Sequence, residues 1–285
     1  MAKKYDLEQG TPEWHDFRSK HIGASEAPVI MGESPWATPI KLWKERLGLI
    51  EKKADNAFMK RGRDLESQAL EAFNNKMGSN CQPAVFESDK YPFIAASLDG
   101  YDSDQKLIVE IKCPGQEDHL TACLGEVPAK YKWQLYQQMY VMGLDAICYA
   151  SYRDGNIVVV PVQYNKNYEK TWLSKTIKFW ECLENFEEPE AIPSDLKCIE
   201  TQEWEVLATK YKSANALMKK YKDESDEIKE QLKLIAGESA QGGGITLVKS
   251  LVRGTVDYKA IPELATVDLE KYRKKQIEKW TIREL

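Results

Sequence analysis

Asp99, Glu110 and Lys112 are the residues of this chain whose types and spacing most directly suggest chemistry. The run Leu107-Ile108-Val109-Glu110-Ile111-Lys112 is apolar and β-branched enough to form a strand. On a strand Glu110 and Lys112 share one face and Ile111 points to the other. Asp99 closes an earlier apolar run, Phe93–Leu98, and the turn-rich segment Gly100–Asp104 predicts a hairpin that brings Asp99 beside Glu110. Two carboxylates and an ammonium gathered in one place repel and desolvate badly unless a divalent cation sits between the carboxylates. The expectation is a Mg²⁺ site suited to phosphodiester hydrolysis, in which the metal activates water and steadies the leaving oxygen. Lys112 would stand beside that water and counter charge on the phosphorane.

Glu66 adds to this set. Ala69, Leu70 and Phe73 follow it at helical spacing, so its carboxylate lies on an apolar face, where burial without a partner is unfavourable. It is either a third metal ligand or an edge residue that pairs with Arg63. Gln134 and Gln138 are four apart in an aromatic-rich helix; both could be exposed, or Gln134 could turn inward and bond the site. Arg18, followed by Ile22-Gly23-Ala24-Ser25, places a guanidinium near helix-N-terminal amides and a hydroxyl, an arrangement that suits a terminal phosphate. The plainer alternative is a surface arginine and a capping serine.

The elements that must carry these residues follow in order. Thr11 and Pro12 start a helix bearing Trp14, Phe17 and Arg18. A short helix from Ala24 ends near Gly32, another spans Pro39–Leu47, and a long one runs from Asp55 to Met77. Strands are expected at Ala84–Glu87, Phe93–Leu98 and Leu107–Lys112, then a helix at Tyr131–Met142. Strands at Ile147–Tyr152 and Ile157–Val162 flank Arg153-Asp154-Gly155-Asn156, a hairpin signal, and Tyr168–Phe186 reads as helix. This order predicts an α/β protein, a mixed sheet with helices on both faces. The acidic, proline-bearing stretch from Glu187 to Pro193 marks a boundary between a core of residues 1–195 and an appendage of residues 196–285. The appendage is a long polar helix, Glu203–Ala236, broken by Gly237 and Gly242-Gly243-Gly244, then a hairpin of Ile245–Val252 with Thr255–Tyr258 and a strand at Lys279–Leu285.

Composition sets the class. Of the 285 residues, 42% are hydrophobic and 30% charged, as in a globular protein, and no apolar run approaches the roughly 20 residues of a membrane span. The N-terminus lacks the apolar segment of a signal peptide, and the six scattered cysteines form no Cys-x-x-Cys pair, so a cytoplasmic chain with reduced thiols is expected. With three histidines, zinc or iron–sulfur chemistry has little support. A net charge of −5 argues against wholesale electrostatic binding of DNA but leaves room for a local basic channel.

Taken in series, Gln9-Gly10-Thr11-Pro12-Glu13-Trp14 with Arg18, Ile22-Gly23-Ala24-Ser25, Arg61-Gly62-Arg63-Asp64-Leu65-Glu66, Ser97-Leu98-Asp99-Gly100, Glu110-Ile111-Lys112-Cys113-Pro114 and Gln134 resemble the YqaJ-like viral recombinase family, of which phage lambda exonuclease is a member. The resemblance spans roughly residues 9–165. It implies a restriction-endonuclease-like core and 5′→3′ degradation of one strand of linear double-stranded DNA, with Mg²⁺ as cofactor, two ions as the expected count and Mn²⁺ as a substitute. It carries metal binding to Glu66, Asp99, Glu110 and the Ile111 carbonyl, catalysis to Lys112 with Gln134 in support, and a 5′-phosphate pocket to Arg18, Ser25 and Ser97. It also implies a ring-shaped trimer and a phage single-strand annealing protein as partner. An endonuclease or junction resolvase on the same core, and a non-catalytic DNA-binding module, are the competing readings.

Overall fold

The computed structural model describes residues 2–51, 57–251 and 254. The chain divides into two units, Met1–Lys197 and Cys198–Leu285. The first opens with β1 (Lys3–Tyr5), α1 (Pro12–Ser19) and β2 (Ile22–Gly23), then a 3₁₀ turn at Ala24–Glu26, α2 (Ala27–Ile30), α3 (Pro39–Arg46) and α4 (Ala57–Met77). Next come β3 (Gln82–Glu87), β4 (Ile94–Asp102), β5 (Leu107–Lys112), α5 (Gln116–Cys123), α6 (Lys132–Met142), β6 (Ala146–Arg153), β7 (Asn156–Gln163) and α7 (Glu169–Asn185). The local chemistry is as the sequence predicts at several ends. The Thr11 hydroxyl accepts the Trp14 N–H at 3.3 Å at the start of α1, and Gly143 closes α6 in the left-handed conformation, φ +63°. β1, β2 and α5 were not expected. The two strands are too short to show a period, and α5 has no clear apolar stripe.

The strands form one mixed sheet in the order β1-β3-β4-β5-β6-β7, with β2 added beside the start of β4. Pairs are antiparallel except β5 with β6 and β2 with β4. Helices cover both faces. On one, Trp133, Leu135, Tyr136 and Met139 of α6 pack with Ile108, Tyr149 and Val160. On the other, Ala69 and Phe73 of α4 pack with Val109, Ile111, Cys148 and Ala150. The alternation along β5 therefore sends Glu110 toward α6 and its neighbours Val109 and Ile111 toward α4.

β4 is the irregular strand. Expected to stop at Leu98, it continues to Asp102, whose carboxylate accepts N–H groups from Asn80, Asp104 and Gln105 and so fixes the turn after it. Between Ala84↔Leu98 and Gln82↔Tyr101 its register with β3 shifts, so Asp99 and Gly100 oppose Pro83 alone in a bulge. On its other edge, β2 pairs with Ile94 and Ala95 and β5 pairs only from Gly100 onward. The edge between these two partners is a fork.

Unit two holds α8 (Gln202–Ala236), capped by Thr201, and a hairpin of β8 (Ala240–Gly242) with β9 (Ile245–Leu247). This hairpin was not expected; the expected one, Ile245–Val252 with Thr255–Tyr258, has its second strand outside the described residues. Gly243 and Gly244, both at positive φ, turn the chain rather than merely ending the helix. The expected strands Thr255–Tyr258 and Lys279–Leu285 lie outside the described residues. Among the described residues no helix is long and apolar enough to cross a membrane.

Candidate active site

Glu110 stands at the centre, only 1% exposed, and each of its oxygens is held by donors. Oε1 accepts from Lys112 Nζ and, at 2.5 Å, from Gln134 Nε2; Oε2 accepts from Gln138 Nε2. Gln134 thus turns inward, as one of the two sequence readings has it. Gln138, which the sequence offers only as its i+4 companion, is fully buried and also donates to the Ser97 carbonyl at 3.3 Å. Next to it, Gln137 donates to the carbonyls of Ile22 and Ala95, both at 2.9 Å. These α6 amides fill the fork: Gln137 bonds carbonyls of β2 and β4, and Gln138 satisfies the Ser97 carbonyl, which lies before the first pairing with β5.

Asp99 comes to Glu110 as the hairpin predicts. Its Oδ2 accepts the Ile111 N–H at 2.7 Å, a side-chain bond across the opening where a ladder bond would otherwise run. Ile111 enters the site through this backbone N–H, while its side chain is in the core. Burial and then the Glu110 charge push the Asp99 carboxyl well above its usual range; Glu66 adds to the push, and Lys112 and the Ile111 N–H oppose it. Glu66 is raised by burial and by Glu110, against Lys112 and Arg63. Burial alone would lower Lys112, yet Glu110 and Asp99 outweigh it and hold the ammonium firmly protonated. The adjacent Cys113 is pushed up to about 11 by burial and the Glu66 charge, which leaves it a poor nucleophile at neutral pH.

The donor set suits a hard divalent cation: three acids, two of them raised by burial and then by the charge of a neighbouring carboxylate, with oxygen donors throughout. Among the described residues, however, no three Asp, Glu, His or Cys side chains form a ready cluster. The reason lies in the fold. Glu66 arrives on α4, whose apolar side packs on the face of β5 opposite to Glu110, and Glu110 is drawn onto Lys112 and the two amides.

Arg18 and Ser25 also meet: the guanidinium Nη2 donates to Ser25 Oγ at 2.9 Å. Ser97 is joined to them through Trp14, whose Nε1 donates to Ser97 Oγ at 3.1 Å while Arg18 lies over its ring at 4.8 Å. Trp14 is a linking residue that the sequence showed only as an apolar helix position. A Cβ at Gly23 would stand 3.2 Å from Arg18 Nη2, so the glycine gives the guanidinium its place. Arg46 holds the bend beneath, donating to the carbonyls of Arg18, Ser19 and His21 at 2.9–3.0 Å and pairing with Glu26 at 3.2 Å. Glu26 in turn accepts the Gly23 N–H at 2.9 Å. A guanidinium and two hydroxyls within one small region can bind an anion bidentately.

Residues 13–145 match the family described as the YqaJ-like viral recombinase domain. Every candidate residue from Arg18 to Gln134 lies in that span. A curated relative, the uncharacterized protein YqaJ of Bacillus subtilis (strain 168), is 28% identical over 148 residues, which cover 50% of this chain and 45% of that protein. The match thus spans less than half the length of that relative. Among solved structures, the fold is similar to an alkaline exonuclease, LHK-Exo from Laribacter hongkongensis, with a TM-score of 0.55 and 24% identity over 62% of this chain and 95% of that one. The same exonuclease in complex with dAMP is similar with a TM-score of 0.54.

Proposed function

Taking the YqaJ-like viral recombinase match across residues 13–145 as the premise, we propose that this protein is a Mg²⁺-dependent deoxyribonuclease that degrades one strand of linear duplex DNA from its 5′ end. The observation that carries the reading is the convergence of Asp99, Glu110 and Lys112, in the same unit as the Arg18–Ser25 pair. Glu66, Asp99, Glu110 and the Ile111 carbonyl are the groups that would hold Mg²⁺, with Mn²⁺ as a substitute. A bound divalent ion supplies activation of water and stabilisation of the leaving oxygen.

The chain's own groups do the rest. Gln134 and Gln138 fix both oxygens of Glu110, so the carboxylate needs no reorganisation during the reaction. The Lys112 ammonium, held protonated, offers positive charge to the oxygens of the scissile phosphate. Arg18, Ser25 and Ser97 receive a terminal 5′-phosphate. Each cut leaves a new 5′-phosphate, so the same pocket registers the next nucleotide. The product is a 3′ single strand, the substrate of an annealing protein in phage-type recombination; we take such a protein, and a trimeric ring around the duplex, as the partners of this reading.

The purified protein with Mg²⁺ should degrade a linear duplex bearing 5′-phosphate faster than one bearing 5′-hydroxyl, and should leave a covalently closed circle intact. Arg18→Ala should bring the 5′-phosphate rate down to near the parent's 5′-hydroxyl rate, because the bidentate grip is lost. Nicking of the closed circle with no end preference would replace the exonuclease with an endonuclease.

A further inference from the structure

An exposed aromatic is ordinary on a protein surface; Trp36 is distinguished by its neighbours. It lies in the loop between α2 and α3, 62% exposed, with its ring 6.4 Å from that of Tyr131 and inclined to it by 37°. The Lys130 ammonium lies 5.5 Å from both ring centroids and is steadied by Asp118 at 2.6 Å. Tyr131 is itself fixed, stacked on the buried Tyr149 at 5.8 Å. Lys112 Nζ also lies over Tyr131, 5.4 Å from its ring centroid. A ledge of alternating rings and ammonium groups therefore leads from the catalytic lysine to an exposed indole.

We propose that Trp36 is the outer plate of a nucleobase-stacking subsite, which receives a base of the strand whose phosphate lies at Lys112. This rests on the deoxyribonuclease reading and adds a residue that the reading does not use. The steps of 6.4 Å and 5.4 Å keep the indole within about 12 Å of Lys112 Nζ, or about three base steps at roughly 3.4 Å per base along one strand. Aromatic faces take any base, because every base has a π-face, and flanking cations hold the backbone. The ledge thus fits a strand that is read without regard to sequence. A stacked base must leave its partner, so the subsite takes an unpaired base and favours a frayed end.

The test is binding in EDTA, where no hydrolysis occurs, to a 5′-phosphorylated hairpin duplex whose 5′ strand ends in three unpaired thymidines. A companion series has one of the three replaced by an abasic site. For the parent, one abasic position should weaken binding about tenfold, equivalent to about 1.4 kcal/mol. Trp36→Ala should be weaker by a similar factor on the intact end and indifferent to every abasic site, with Trp36→Phe between the two. Equal responses of parent and Trp36→Ala to the abasic series overturn the subsite. So does a Trp36→Ala protein that binds DNA as the parent does but sediments as a smaller assembly, since Trp36 would then belong to a contact between copies. If the parent neither binds the duplex nor degrades it with Mg²⁺, the deoxyribonuclease reading fails and the ledge fails with it. If the parent degrades duplex ends and only the abasic test fails, the ledge alone is wrong.

Discussion

Lys112 keeps its proton against burial because two carboxylates stand beside it, and those carboxylates are in turn uncomfortable with each other. Charge is gathered here at a cost to the fold, the arrangement on which the proposed chemistry rests. Removing Lys112 or Asp99 as alanine should lower hydrolysis on the order of a thousandfold, about 4 kcal/mol of transition-state stabilisation, with an unchanged circular dichroism spectrum. Asp99→Asn should do something the alanine does not. The amide oxygen can still accept the Ile111 N–H, while the charge that burial and Glu110 disfavour is gone. A group whose folded pKa is raised withdraws stability as pH climbs past its unfolded value near 3.9, so at neutral pH without metal the asparagine variant should melt higher than the parent. Each kcal/mol gained would appear as about 2–4 °C in Tm. An inactive variant that melts at or below the parent's temperature would contradict the stored repulsion.

At the scale of elements, the bulge in β4 decides where Asp99 points, and Gly100 decides how closely α4 can approach. A Cβ at Gly100 would fall 2.7 Å from Val109 Cγ1 and 2.9 Å from both Cys81 Cβ and Leu70 Cδ1. Two of those atoms sit on short, buried side chains that cannot swing away. Gly100→Ala should destabilise the fold by about 1–3 kcal/mol in a denaturant titration, as overpacking does. The far edge of the sheet offers a pH test. Burial lifts the Glu87 carboxyl, but the Tyr5 hydroxyl at 2.7 Å and His21 outweigh it and hold it below the usual value. Its contribution is then complete above the unfolded value near 4.3 and is lost as pH falls through the folded one. The Tm of Glu87→Gln should converge with that of the parent in acid and lie below it at neutral pH.

These elements also show what the sequence could reveal. Glu110, Lys112 and Asp99 were legible because a regular strand and a turn fix which side chains share a face. Glu66 and Gln134 stood out as polar residues in helices with apolar or aromatic neighbours, but each kept an exposed reading beside the inward one. The β4 bulge was not legible, because it depends on pairing with Pro83; Gln138 was ambiguous because exposed helical glutamines have the same spacing, and Gln137 was not singled out at all. Trp14 and Arg46 act through a ring nitrogen and a guanidinium that reach residues distant in sequence, which no local period reports.

For the whole molecule, every residue from Arg18 to Gln134 that we assign to the site lies in Met1–Lys197, and α8 of the second unit buries none of its residues. A chain ending at Lys197 should therefore fold cooperatively and retain Mg²⁺-dependent hydrolysis, with any loss confined to substrate affinity or assembly; failure to melt as one transition would show that the second unit supports the first. The fork in β4 has a different kind of consequence. Ordinary neighbouring strands are kept at their spacing by main-chain bonds that are the same whatever residues they join. Here the Gln138 amide ties the Ser97 carbonyl of β4 to Glu110 of β5 and the Gln137 amide ties β2 to β4, so the strand spacing around the fork is written in side chains and a single codon can change it. A shorter or apolar residue at either position offers an evolving lineage a way to widen, narrow or close the fork without redesigning the sheet.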